Sequence, residues 1–264
     1  MPFPFTARTQ DDLLSVWNDR RNFLIGPELI AFDTVMPSAE EIVDILRKHP
    51  DSRVQFLGME DGPEKEALIE QFKTAPLEQI IDLPFSLANF FLYKFYEPGA
   101  FLQDFQRDVM IPWRTFLSST GLTWQRSYPI FFISGKNSSS SYHVDVSHVV
   151  AWQVHGVKVF NGFKDPEARS AVQHIVDNRN EYRIETPPEV DPELVLTYRM
   201  EPGDILWNQL LTPHWVDSED EVAVSMNISH GGLAYQREFC QNEQVLRKRW
   251  EDHPDEAWAA DDRY

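Results

Sequence analysis

Two textures divide the chain. Over roughly the first ninety residues, apolar positions recur at three- and four-residue spacing, and SVWNDRRNFL, SAEEIVDILRKH and EKEALIEQF each gather them on one helical face. Ser38 followed by Glu41 is a capping-box pattern at the head of the second helix. From about residue 90 the pattern shortens to aromatic and β-branched runs: FFLYKFY, YPIFFIS, HVVAWQV, VKVFNGF, LVLTYRM, DILWNQL and VAVSMNI. PGA, SGKNS, EPGD and SEDE punctuate them. Short strands broken this often predict an antiparallel sandwich or barrel, with the helices wrapped outside it. One helix interrupts the strands. Asp165 is placed to cap it, Pro166 suits its first position, and PEARSAVQHIVDN carries an apolar stripe at Ala168, Val172 and Ile175. With the following TPPEVDPE it makes a crossover over 163–192, long enough to form a lid. A last helix is expected over QREFCQNEQVLRKRWEDH, with Glu238, Glu243, Arg247, Lys248 and Arg249 on a solvated face. Its apolar stripe, Phe239, Leu246 and Trp250, packs either on the barrel or on a second copy of the chain.

Composition narrows the picture. At 264 residues and 42% hydrophobic content, the chain can fill one sizeable core. A formal charge of −18, from 42 acidic and 24 basic residues, repels a phosphate backbone, so nucleic acid is not an expected partner. One cysteine, Cys240, permits no internal disulfide. No apolar run reaches membrane-spanning length and MPFPFTARTQDD lacks the pattern of a leader, so a soluble, cytoplasmic protein is expected.

Two segments carry candidate chemistry. In His143-Val144-Asp145 the two polar side chains lie two apart, hence on one side of an extended chain, where both can reach a single ion. In EPGDILWNQLLTPHWV, Pro202 and Gly203 turn the chain, an apolar strand follows, and Thr212-Pro213 breaks it just before His214. Each alone has a plain alternative: a chance triplet in an aspartate-rich chain, and a histidine capping an aromatic cluster. Together, two imidazoles and a carboxylate form the facial set that leaves three positions open on Fe(II), although catalytic zinc uses the same donors. Lys158 adds a second signal, because a buried strand lysine is costly unless it meets an anion; snorkelling or an acidic neighbour would also satisfy it.

The run from His143 to Lys158 with Gln153 and Gly156 between, followed by P-G-D-x-L and then His214, resembles the JmjC group of Fe(II)- and 2-oxoglutarate-dependent oxygenases. The resemblance is nearest to its asparaginyl-hydroxylase (factor-inhibiting-HIF-like) and cupin-like branch. It implies a mainly β fold with flanking helices, a double-stranded β-helix of the jelly-roll or cupin type. It also implies one domain over 1–264: helical decoration over 1–90, the barrel over 91–235 with its insert at 163–192, and a C-terminal helix and tail over 236–264. The implied iron ligands are His143, Asp145 and His214. Lys158, fifteen residues after the first ligand in the pattern Q-x-x-G-x-K, would bind the distal carboxylate of 2-oxoglutarate. Ser140, Asn227 and Tyr128 fall at or near positions that contact this co-substrate. The implied reaction hydroxylates a C–H bond of a small molecule or a protein side chain. The same core supports N-methyl-lysine demethylation, and a barrel that binds metal without turnover is a third reading. Family members often dimerise through C-terminal helices, so a homodimer through that helix is expected.

His148 and His155 read as supporting or surface histidines, whereas His174 and His230 are candidates for touching substrate. Trp152, Trp207 and Trp215 read as barrel packing.

Overall fold

The computed structural model describes residues 3–90, 92–179 and 189–257. The chain begins with β1 (Thr6–Ala7), α1 (Gln10–Val16), β2 (Phe23–Ile25), α2 (Ala39–Arg47), β3 (Arg53–Phe56), α3 (Pro63–Thr74), α4 (Leu77–Ile80) and β4 (Phe85–Asn89). It continues through α5 (Ile111–Thr120), β5 (Leu122–Thr123), β6 (Arg126–Ser134), β7 (His148–His155), β8 (Lys158–Phe163), α6 (Pro166–Arg169) and α7 (Val172–Asn178). After these come β9 (Val195–Met200), β10 (Ile205–Asn208), β11 (Trp215–Ser218), β12 (Ala223–Gly231), β13 (Ala234–Tyr235), β14 (Glu238–Phe239) and α8 (Gln241–Asp252).

Several elements depart from the pattern-based expectation. α1 stops at Val16 and FLI becomes β2, because Phe23 and Ile25 point into the core while the strand pairs with β10. Within FFLYKFY, Leu92–Phe95 winds into a 3₁₀ turn where a strand was expected, and β4 lies just before the run. The insert helix breaks at Ser170 and Ala171 into α6 and α7, with Asp165 capping the first through the Ala168 amide. Val172 and Ile175 are buried, whereas Ala168 is exposed. Residues 186–188 of TPPEVDPE lie outside the described residues, and Pro192–Leu194 at its end winds into a 3₁₀ turn. Ser38 and Glu41 do form the capping box.

Among the described residues the strands form an eight-stranded sheet in the order β1-β2-β10-β7-β12-β6-β4-β3, and three-stranded sheets β11-β8-β9 and β14-β13-β5. Four strands of the large sheet thus come from the first ninety residues, and helix and strand are nearly balanced at 33% and 29%. The fold is therefore mixed rather than mainly β, though its two larger sheets are compatible with a jelly roll.

Side-chain alternation gives the large sheet two unlike faces. One face carries Phe23, Trp152, Trp207, Phe131 and Met226, packed with Leu13, Ile42, Trp113 and Leu246 from the helices in one extended core. The other face supplies Ala151 and Leu206 to a smaller core with Phe160, Leu196, Tyr198 and Met200 of the β11-β8-β9 sheet. Polar side chains concentrate on this second face, between the two sheets.

His148 and His230 sit opposite each other in the β7–β12 ladder, on the helix-covered face. Both are fully buried, and burial pushes each imidazole down to about 3. Trp113 Nε1 donates to His230 Nε2 at 2.7 Å. α8 closes over this layer: Cys240 Sγ lies 3.5 Å from His148 Nε2, and Glu243 is buried against Arg247 instead of solvated. Leu246 and Trp250 are buried against the chain's own core, while Arg247 stacks on the half-buried Phe239. Among the described residues no helix is long and apolar enough to cross a membrane.

Neutral buried histidines make stability fall in acid. The unfolded chain takes up protons near the ordinary histidine value while the folded chain does not, so stability is lost as pH drops from about 6.5 toward 3. Each such histidine contributes up to about 1.4 kcal/mol per pH unit in that window. Denaturant unfolding of His148→Leu across pH 4–7 should show a slope shallower than wild type by about one proton; an unchanged slope would contradict neutral burial.

Candidate metal centre

The segment 138–145 runs antiparallel to 211–218 without forming a regular strand. Ser140 N–H donates to Val216 O at 2.7 Å, and Ser218 N–H donates to Ser138 O at 2.8 Å. The polar serine run is thus an edge that stitches the two segments together. Further along, His143 N–H donates to His214 O at 3.1 Å and His214 N–H to His143 O at 3.0 Å. Residues that exchange both bonds stand directly opposite and project to the same side, which brings together imidazoles seventy-one positions apart. Their ring centroids are 4.3 Å apart. Leu211 anchors the far end: its N–H donates to Asp145 O at 2.7 Å, from a left-handed backbone with φ of 58°. The Arg20 guanidinium clamps the Leu211 carbonyl through Nε and NH2 at 3.0 and 2.6 Å.

Asp145 completes the cluster. His143 Nε2 lies 3.6 Å from its Oδ1, and His214 Nε2 lies 3.6 Å from its Oδ2. One ligating atom from each of the three falls within 4.8 Å of the others. Both tautomers are set by the backbone. His143 Nδ1 donates to Ser141 O at 2.7 Å and His214 Nδ1 to Thr212 O at 2.9 Å, so each Nε2 lone pair points inward. Phe160 stacks on the His214 ring at 4.9 Å and 10°. Burial first, and the neighbouring His143 second, hold the His214 imidazole down at about 4, neutral and ready to ligate. His143 and Asp145 remain partly exposed, so one side of the cluster is open. Two imidazoles with inward Nε2 atoms and a carboxylate, preset and open on one side, suit a divalent cation with free coordination positions.

Lys158 lies on the same face of β8 as Phe160, one step further along the strand. It is 4% exposed, and its Nζ donates to Phe132 O at 2.8 Å and Ser225 Oγ at 2.9 Å. Burial without a countercharge in these contacts pushes the amine down to about 7. It neither snorkels nor pairs with an acid there. Asn227 and Ser229 follow Ser225 on the same face of β12, and Asn227 Oδ1 is buried without a hydrogen-bond partner. Tyr128, opposite Ser229, faces the same interior with Ile130 and Phe132. The Ser140 hydroxyl accepts from Val216 N–H at 2.9 Å and donates to Ser141 O at 3.2 Å. Gln153 and Gly156 build the turn before Lys158. The Gln153 amide donates to the carbonyls of His155 and Gly156 at 2.8 and 3.0 Å, and Gly156 has φ of 63° with Val222 O only 2.5 Å from where a Cβ would sit.

The remaining histidines lie apart. His148 and His230 face the helices, so His230 is closed to substrate. His155 Nε2 bonds Pro37 O at 2.6 Å, and His174 sits on the outer side of α7 beside Asn178. His148, Cys240 and Glu243 form a second cluster of potential ligands, but the Cys240 sulfur also caps α8 through the Glu243 amide, and the Glu243 carboxylate is engaged by Arg247. Sequence reasoning missed Asn208, whose amide donates to Asp145 Oδ2 at 3.0 Å; a lone asparagine ending the apolar run DILW was the available signal.

No protein-family model and no curated protein matches the chain. Its fold does match solved structures of YcfD, a ribosomal oxygenase from Escherichia coli. In one the chain is 16% identical, with a TM-score of 0.53 over 93% of this chain and 56% of that one. A complex of YcfD with cobalt and 2-oxoglutarate matches at 17% identity, with a TM-score of 0.52 over 90% and 56% of the two chains. A complex with cobalt and succinic acid matches at 15% identity and a TM-score of 0.51, over 94% and 67%. The chain thus spans little more than half the length of the first of these, and at such identity the likeness is one of fold. These structures are of a ribosomal oxygenase and give no support to the asparaginyl-hydroxylase branch.

Proposed function

We propose that this chain is an Fe(II)- and 2-oxoglutarate-dependent oxygenase of the JmjC type that hydroxylates a C–H bond. The observation that carries the reading is the antiparallel pairing of His143 and His214, which brings two Nε2 atoms and the Asp145 carboxylate together. The donor set also fits the fold likeness to YcfD, whose complexes hold cobalt with 2-oxoglutarate or succinic acid.

In this reading His143, Asp145 and His214 hold the metal, and the backbone carbonyls of Ser141 and Thr212 keep the imidazoles in the ligating tautomer. Lys158 takes the distal carboxylate of 2-oxoglutarate, with Asn227 and Tyr128 lining the same face. Ser140 instead fixes β11, and so His214, in place. Bound iron would allow dioxygen to take two electrons from the 2-oxo acid, which would leave as succinate and carbon dioxide, and two from the substrate C–H bond, which would become C–OH. The protein's share is placement, exclusion of water by the aromatic walls at Phe160 and Phe132, and charge balance at Lys158. A peptide substrate is the version supported by the acidic chain and by the fold shared with a ribosomal oxygenase.

Two outcomes follow. Purified protein supplied with Fe(II) and 2-oxoglutarate should form succinate, and His143→Ala or Asp145→Ala should lower the rate at least a hundredfold; undiminished turnover in either variant contradicts the assignment. Co-substrate binding should also draw protons. An anion raises the amine of Lys158 from about 7, so at pH 8 a mostly neutral group becomes charged and takes up about one proton. Calorimetry in two buffers of different ionisation enthalpy should show that uptake in wild type and none in Lys158→Met.

A further inference from the structure

Asn208 closes β10 with its side chain on the interior face, and only 1% of the residue is exposed. Its Nδ2 donates to Asp145 Oδ2 at 3.0 Å, and its Oδ1 accepts from Asn22 Nδ2 at 2.6 Å. Asn22 is wholly buried and stands immediately before β2, the strand that pairs with β10. Tyr198 fixes it further by donating its hydroxyl to Asn22 O at 2.7 Å. The remaining atom, Asn22 Oδ1, is buried without a hydrogen-bond partner and occupies the space above Gly162, 2.3 Å from where a Cβ on that residue would lie. A side chain at Gly162 would expel it.

We infer that Asn208 is a positioning residue for Asp145, oriented by Asn22, and that it commits Asp145 to ligate metal through Oδ1 alone. The inference rests on the proposed metal role of His143, Asp145 and His214, and extends it to two residues outside that set. Orientation is the core of the argument. An amide facing a carboxylate must present N–H rather than oxygen, and the donor from Asn22 leaves Asn208 that single choice. The Asn208 amide also passes His214 Nδ1 at 3.4 Å, but that nitrogen already donates to Thr212 O, so no bond forms there. With Oδ2 held by Asn208, Oδ1, which faces His143 Nε2, is the atom free for the ion. A carboxylate bound through one oxygen keeps three positions open on an octahedral ion; bound through two, it would close one of them. The chain Asn22–Asn208–Asp145 therefore preserves the vacancy that co-substrate and oxygen need.

The test reads metal binding rather than turnover. Co²⁺ is titrated anaerobically into metal-free wild type, Asn208→Leu, Asn22→Ala and the double variant, following the visible absorption band and the heat of binding. Loss of a partner that orients a metal ligand typically weakens binding about 10–100-fold. That loss is expected for Asn208→Leu, with an altered band as Asp145 Oδ2 is released. Asn22→Ala should weaken binding by a smaller factor although it touches neither metal nor Asp145. The double variant should bind no more weakly than Asn208→Leu, because both act through one route. Wild-type affinity and an unchanged band in Asn208→Leu would overturn the inference. If that variant fails to fold, wild-type affinity in Asn22→Ala overturns it instead. Absence of stoichiometric Co²⁺ binding by wild type would defeat the proposed function itself, a distinct result.

Discussion

Two backbone hydrogen bonds exchanged between His143 and His214 govern the rest of the molecule's chemistry. They lock two segments far apart in sequence into one register, and in that register both imidazoles project to one side. A slip of one residue would turn either ring away and dismantle the cluster. Much of the surrounding structure serves this register. The serines at 138 and 140 stitch the segments, Leu211 accepts a strained backbone to reach Asp145 O, and Arg20 fastens the strained carbonyl.

The unlike faces of the large sheet supply the second requirement. Its helix-covered side is a dry aromatic layer in which even the histidines are neutral and saturated with packing contacts. Its other side, enclosed by the smaller sheet, gathers Asn208, Ser225, Asn227 and Lys158 where water is scarce. Low polarity there gives each polar group leverage: it depresses the Lys158 amine, keeps His214 neutral, and makes a single amide beside Asp145 consequential. The packed core lies on one face and the candidate metal site on the other.

Between Arg126 and Gly231 every strand except β11 was legible in the sequence, because aromatic and β-branched runs bounded by turn residues mark them; β11 follows the Thr212-Pro213 break and owes its pairing to β8. β1, β2, β3 and β4 were not, since each is short and takes its meaning from a distant partner, as β2 does from β10 and β4 from β6. FFLYKFY misled because aromatic content resembles strand content even in a 3₁₀ turn. Residue type and spacing singled out His143, Asp145, His214 and Lys158 as candidates, and the fold brings the first three together. The cost of burying Lys158 was readable too. The commitment of Ser140 to Val216 and the amide relay from Asn22 were hidden, because both depend on cross-chain register that no local pattern encodes.

The most direct measurement is anomalous diffraction from crystals soaked in Mn²⁺, an oxygen-stable substitute for the ferrous ion. The account predicts one strong peak per chain, within bonding distance of His143 Nε2, Asp145 Oδ1 and His214 Nε2 together. A peak elsewhere, or none at full soaking, would contradict it.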